Sequence, residues 1–270
     1  WFGTRGSQVR ILPLRPLISM FYFFKKNKKV KGSKLKILSG YSFNHRKVSE
    51  KSEKNIIRYA NHFNFDYEFK KIKNNQYFER HIYWLKHKML IDNLENGNHE
   101  YYWWLDSDIF FCRYENILNH IDKSKDIFVH NSFYKSRHKT KYRYVDYLTW
   151  VPNAGMILVR NTKWSLNFLK NVWNKKKYLN HYWNDNAALI DEIGLKAEIG
   201  KLTDNKLSSE VKNKVSFLSG IWNSMPKRNY ENPENNEVSN FYFDPVIIHL
   251  AGIRNRERLK FLKKYDRLFI

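Results

Sequence analysis

Two aspartates one residue apart, Asp106 and Asp108, follow the apolar aromatic run Tyr101-Tyr102-Trp103-Trp104-Leu105. A buried strand accepts carboxylates only where something offsets their desolvation. Alternate strand residues share a face, so the pair is expected to point one way, with the Ser107 side chain turned to the other. Two hard oxygen ligands converging at a strand end suit Mn²⁺ or Mg²⁺, usually shared with a phosphate-bearing substrate. The plain alternative is a solvated pair capping a turn, and Asp-x-Asp alone is a weak motif. A later stretch, Val246-Ile247-Ile248-His249-Leu250-Ala251-Gly252-Ile253-Arg254, repeats the logic. An apolar strand delivers His249, then a small-residue turn, then a cation. A lone histidine there is more often a hydrogen-bonded core residue than a ligand. Two aspartates and an imidazole nevertheless make a Mn²⁺ site, with Arg254 placed to hold a phosphate.

Two further stretches carry polar groups with chemical use. In Trp150-Val151-Pro152-Asn153-Ala154-Gly155 a small-residue turn enters an apolar strand. Gly155 lets backbone or ligand come close, and Asn153 can hydrogen-bond a hydroxyl-rich ligand. Asn184-Asp185-Asn186 opens a helix. A carboxylate at a helix N-terminus is stabilised by the dipole, so capping alone explains Asp185 as readily as a functional role does.

The elements that must position these groups alternate along the chain. Residues 35–41 read as a first strand ending at Ser39-Gly40-Tyr41, the usual place for a nucleotide to approach backbone in an α/β sheet. An amphipathic helix over 46–62, a strand over 65–69 and a long helix over 78–96, stopped at Asn96-Gly97, lead into the aspartate strand. That order implies right-handed crossovers and a mostly parallel sheet, with ligands at the carboxyl ends of the strands. A short strand over 126–130 precedes the polar stretch 132–143, which reads as a mobile basic loop, either one that closes over a diphosphate or, as readily, a solvated surface loop. Asn161 is expected to cap the next helix. The tail after Arg254 is a basic amphipathic helix, suited to dock on the domain or to lie on an anionic membrane.

Composition sets the outer bounds. The 270 residues are 42% hydrophobic and 17% aromatic, enough for a sizeable core and not the profile of a disordered chain. Lys+Arg of 49 against Asp+Glu of 26 gives +23, which favours an anionic partner: nucleic acid, acidic lipid or a phosphorylated substrate. The lysines are scattered rather than gathered in one arm. The single cysteine, Cys112, excludes an internal disulfide and fits a reducing compartment. No apolar run reaches eighteen residues. Residues 1–33 are expected to lie outside the fold, with Met20 a natural start for the chain.

Taken together, WWLDSD at 103–108, NAGMILVRNTKWSLNFL at 153–169, NDNAAL at 184–189 and HLAGIR at 249–254 resemble glycosyltransferase family 34, the galactosyl-, mannosyl- and xylosyltransferases. The resemblance spans about residues 34–254, and the order and spacing of the motifs are far more specific than any one of them. It implies an α/β GT-A catalytic domain over 34–254, a mostly parallel sheet flanked by helices, with the basic helix 255–270 beyond it. It implies retaining transfer of a sugar from a UDP- or GDP-sugar to a hydroxyl of a glycan acceptor. Asp106, Asp108 and His249 would hold Mn²⁺ or Mg²⁺, and Asp185 would act near the reacting sugar. Arg254 stands where the family usually has lysine for a phosphate contact. Lys86, after Trp84, matches the family's Trp-x-Lys element and its donor contact. Ser107, Asn186 and Gly252, inside the matched motifs, join Ser39, Gly40, Tyr41, Asn153 and Gly155 as donor-binding candidates.

The chain also departs from the family. Two acidic residues and a glutamine commonly stand where it has Asn184-Asp185-Asn186, which keeps Asp185 and leaves the acceptor open. No membrane anchor or stem is evident, so a cytoplasmic or peripheral membrane enzyme is expected rather than a lumenal one. The rival from another class is a basic nucleic-acid-binding protein. It has no need of paired carboxylates spaced to His249, and no nucleic acid is therefore expected as a partner.

Overall fold

The computed structural model describes residues 23–24, 32–77, 79–139, 144–195, 207–226, 242 and 244–270. Expectations for residues 1–19 fall outside the described residues. Strand β1 (Phe23–Phe24) pairs antiparallel with β3 (Asp66–Ile72), so the sheet already includes residues ahead of position 34. Strand β2 (Leu35–Ser42) runs parallel to β3 on one side and to β6 (Tyr101–Leu105) on the other. Helix α1 (Arg46–His62) joins β2 to β3, and α2 (Leu85–Asn96) joins β3 back past β2 to β6. The two helices cover opposite faces. Ile56, Tyr59 and Ala60 of α1 pack with Ile37, Trp103 and Leu105, whereas Met89, Leu90 and Leu94 of α2 pack with Leu38, Tyr102 and Trp104. Strand β2 is therefore the point at which the chain reverses direction across the sheet, and a crevice opens at the carboxyl ends there.

A hairpin between these elements, β4 (Gln76–Tyr77) with β5 (Arg80–His81), shortens the helix expected over 78–96. A 3₁₀ turn follows at Ile82–Trp84, and α-helix begins only at Leu85. All five residues of β6 are buried, because both faces of the strand meet apolar layers. Burial on both faces is the reason its sequence is continuous rather than alternating.

The aspartate stretch is not one strand. After Leu105 the chain turns through Asp106-Ser107-Asp108 and leaves the sheet as β7 (Ile109–Phe111), which pairs instead with β11 (Ile247–His249). The two carboxylates converge through a turn and not by strand alternation. Strand β8 (Ile127–Lys139) pairs antiparallel with β9 (Tyr144–Arg160), so residues 132–139, expected as a loop, are strand. Nor is Asn153-Ala154-Gly155 a turn. Opposite the step from Val129 to His130, β9 moves from Ile157 to Asn153, and the small residues form a bulge inside one long strand.

Helix α3 (Lys163–Asn174) is capped by Thr162, whose Oγ1 accepts from Ser165 N at 3.1 Å; Asn161 instead bonds the His99 carbonyl. Helices α4 (Asn184–Glu192) and α5 (Ser209–Lys214) precede β10 (Val215–Leu218), which runs parallel to β8 at the sheet edge. Among the described residues the sheet order is β1-β3-β2-β6-β9-β8-β10, and five of these seven strands point the same way, β1 and β9 being the exceptions. The last helix, α6 (Asn255–Lys264), docks on the domain: Leu262 packs with Val48, Phe110 and Leu250, and the Ile270 amide donates to Phe111 O. Among the described residues no helix is long and apolar enough to cross a membrane.

Candidate active site

Asp106, Asp108 and His249 each offer a ligand atom, and the three atoms lie within 4.8 Å of one another. Antiparallel pairing of β7 with β11 places His249 opposite Ile109, beside the turn that carries both carboxylates. His249 Nε2 lies 3.3 Å from Asp108 Oδ1. Arg258, from α6, reaches Asp108 Oδ2 at 2.7 Å through Nη2, and its Nε donates to Leu250 O. Burial opposes the charge on Asp108, but His249 and Arg258 outweigh it and hold the carboxyl well below the usual range. Asp106 Oδ1 accepts from the Trp104 indole at 2.7 Å.

A second charged group adjoins the first. Lys86 Nζ stands 3.2 Å from Asp106 Oδ1 and 3.2 Å from Asp185 Oδ2. A lysine in the first turn of a helix opposes the dipole. Burial opposes its charge as well, and only the carboxylates of Asp106 and Asp185 raise its pKa above the ordinary lysine value. Asp185, in the first turn of α4, is buried, and Lys86 with His87 keeps it ionised below its ordinary range despite desolvation. His87 Nε2 is 3.4 Å from Asp185 Oδ2, a long contact to a wholly buried ring whose own pKa is lowered by burial. The preceding Asn184 adopts φ +44°, a left-handed conformation that asparagine tolerates and that starts the helix abruptly.

These groups line one cleft of about 300 Å³ at the carboxyl ends of β2 and β6. Of the residues singled out in the sequence, Gly40, Tyr41, Lys86, Asp106, Ser107, Asp108, Asn153, Gly155, Asp185, Asn186, His249 and Gly252 line it. Several of them also have structural duties. Asn186 Oδ1 accepts from Ala154 N and ties α4 to the bulge, while Asn153 Oδ1 accepts from Gly155 N. Tyr41 donates to Glu53. A Cβ on Gly155 would lie 2.2 Å from His249 Cε1, so glycine there is required by the ring's approach.

Ser39 and Arg254 do not line the cleft. Ser39 is buried in the sheet, and Arg254 is exposed at the start of α6. Arg258 stands at the Asp108 carboxylate. Helical spacing, four residues on from Arg254, was the one available signal for it. Tyr83, Trp183 and His45 also line the cleft, and Asn223 holds His249 Nδ1 at 2.8 Å. No local pattern marks Asn223, because its partner is brought to it only by folding.

The galactosyl transferase GMA12/MNN10 family model matches residues 36–194, more than half of the chain. No curated protein matches in sequence. Among solved structures, a glycosyltransferase involved in glycosylation of the major capsid of PBCV-1 is similar in fold, with TM-score 0.57 and 15% identity over 85% of this chain and 98% of that one. Galactosyltransferase LgtC in complex with donor and acceptor sugar analogues aligns at TM-score 0.49 and 9% identity over 85% and 95% of the two chains. GlyE of Streptococcus pneumoniae aligns at 0.47 and 11% identity over 85% and 60%.

Proposed function

The chain belongs to the galactosyl transferase GMA12/MNN10 family and is a glycosyltransferase of GT-A fold, and from that premise we propose that it transfers a sugar from a UDP- or GDP-sugar to a hydroxyl of a glycan acceptor, with retention and with a divalent metal. The observation that carries the metal reading is the convergence of Asp106, Asp108 and His249 in the crevice where β2 meets β6. Their donor set, two carboxylate oxygens and one imidazole nitrogen, fits Mn²⁺ and accommodates Mg²⁺. When bound there, the metal neutralises the diphosphate leaving group as a Lewis acid.

The chain's own residues do the remaining work. Lys86 adds a fixed positive charge between the metal ligand Asp106 and the sugar-side Asp185, in a buried position where charge acts strongly. Arg258 supplies a second cation at the diphosphate end of the cleft. Asp185 faces the reacting sugar as a carboxylate, stabilising positive charge at the anomeric carbon and orienting the acceptor. With its pKa depressed by Lys86 it is a poor base. The acceptor hydroxyl attacks from the leaving-group face. As the new C–O bond forms and the bond to the diphosphate breaks, the hydroxyl proton passes to the departing phosphate oxygen. Residues 34–254 form the catalytic domain in this reading, and α6 contributes Arg258 from the basic segment 255–270.

The test is metal-dependent hydrolysis of a panel of UDP- and GDP-sugars by the natural protein and by Asp108→Ala. Slow hydrolysis of one donor, lost in the variant, supports the reading and identifies the donor. Absence of hydrolysis and of binding for every donor, together with tight salt-sensitive binding to nucleic acid, overturns it.

A further inference from the structure

We infer that Asn223 is the positioning residue that sets the orientation and tautomer of the His249 imidazole so that Nε2 is free to ligate; this rests on the metal-site reading above. Asn223 is wholly buried and follows the 3₁₀ turn Gly220–Trp222. Its Oδ1 lies 2.8 Å from His249 Nδ1. A neutral imidazole carries one N–H and one lone pair, and an amide oxygen only accepts. The Nδ1 proton therefore donates to Asn223, which leaves Nε2 as the nitrogen turned to the carboxylates, 3.3 Å from Asp108 Oδ1. The opposite tautomer would put a proton on the nitrogen that must ligate.

The orientation of the amide is itself set by a second histidine. Asn223 Nδ2 donates to His130 Nδ1 at 3.4 Å, and His130 is almost fully buried, with burial keeping its ring neutral and able to accept. The amide oxygen is left for His249. The backbone fixes the same geometry: Ser224 N donates to Ile247 O at 3.0 Å, and His249 N donates to Ser224 O at 2.8 Å. On its other flank the ring rests against Gly155. A ligating imidazole whose second nitrogen is held in this way is oriented and more basic, and loss of the holding group usually weakens metal binding about 10–100-fold.

The experiment measures Mn²⁺ affinity of the full chain by calorimetry and electron paramagnetic resonance, without donor or turnover, for the natural protein, Asn223→Leu and Asn223→Asp. Folding of each is checked by circular dichroism and thermal melting. Expected is a loss of about 10–100-fold in Asn223→Leu, with Asn223→Asp, which keeps an accepting oxygen, within a few-fold of the natural protein. Unchanged affinity in a folded Asn223→Leu overturns the inference, as do equal losses in both variants. Should Asn223→Leu not fold, long-range ¹H–¹⁵N spectra of the metal-free natural protein decide. A proton on His249 Nδ1 is expected, and its absence overturns the assignment. A natural protein that binds no Mn²⁺ fails the metal-site reading itself. Binding that is indifferent to Asn223 fails only this inference.

Discussion

Arg258 Nη2 lies 2.7 Å from Asp108 Oδ2, so the C-terminal helix is held by an ion pair to a carboxylate of the candidate metal site. Both side chains are largely buried, at 14% and 13% exposure, and screening by solvent is correspondingly weak.

Replacing Arg258 with Leu removes the guanidinium paired with Asp108. A buried charge stripped of a partner costs about 3 kcal/mol, so the melting temperature should fall by several degrees. Mn²⁺ supplies the missing positive charge, and by mass action a concentration 100-fold above Kd returns about 2.7 kcal/mol. Melting with and without Mn²⁺ checks both statements. An Arg258→Leu deficit that Mn²⁺ leaves untouched would separate Asp108 from the metal.

Lys86 is shared by Asp106 and Asp185, so the three charges should behave as a unit. Lys86→Met is expected to lower turnover about 100-fold or more, the usual loss for one preorganised electrostatic group. Asp185→Asn should abolish sugar transfer while leaving donor affinity within a few-fold. In the double variant Lys86→Met/Asp185→Asn the destabilisation should fall short of the sum of the two by about 0.5–3 kcal/mol. Strict additivity in denaturant melts would deny the coupling.

Gly155→Ala puts a methyl group 2.2 Å from His249 Cε1 and 2.8 Å from Asn153 Oδ1. Overpacking of this kind costs about 1–3 kcal/mol. The ring must shift, so Mn²⁺ affinity should drop at least tenfold while the sheet remains folded by circular dichroism. Metal binding equal to that of the natural protein would show that the ring has room.

Burial and the neighbouring His249 lower the pKa of His130 from the ordinary 6.5 to about 4. The native ring stays neutral where the unfolded chain takes up a proton, so stability is full above pH 6.5 and lost as pH falls towards 4. Below that the native ring is protonated too, and this group adds no further slope. The gap corresponds to about 3 kcal/mol. Urea midpoints at pH 7, 5.5 and 4.5 should fall more steeply for the natural protein than for His130→Leu. Parallel curves would sink the assignment.

Much of the frame was legible before folding was considered. Helix α1 was readable from 46–62 because its apolar residues recur at helical spacing, and β2, β3 and β11 were readable as short runs bounded by polar or small residues. Asp106, Asp108 and His249 stood out because carboxylates and an imidazole in apolar strands demand a partner. The errors have physical causes too. The alternation rule failed at Asp106-Ser107-Asp108, where the chain turns out of the sheet. The polar stretch 132–143 reads as a loop, yet 132–139 is strand because pairing with β9 needs only backbone groups, and 140–143 lie outside the described residues. Asn161 lost the helix cap to Thr162, one residue on.

The sequence by itself determined which residues could ligate a metal, the alternation of strand and helix, and the family to which the motifs belong. Those properties are local or linear, set by residue type and spacing. Tertiary structure alone decided that Arg258 meets Asp108, that Lys86 joins Asp106 to Asp185, and that Asn223 holds His249. Each depends on groups distant in the chain meeting within about 3 Å, a tolerance far finer than a reading of helix and strand boundaries resolves.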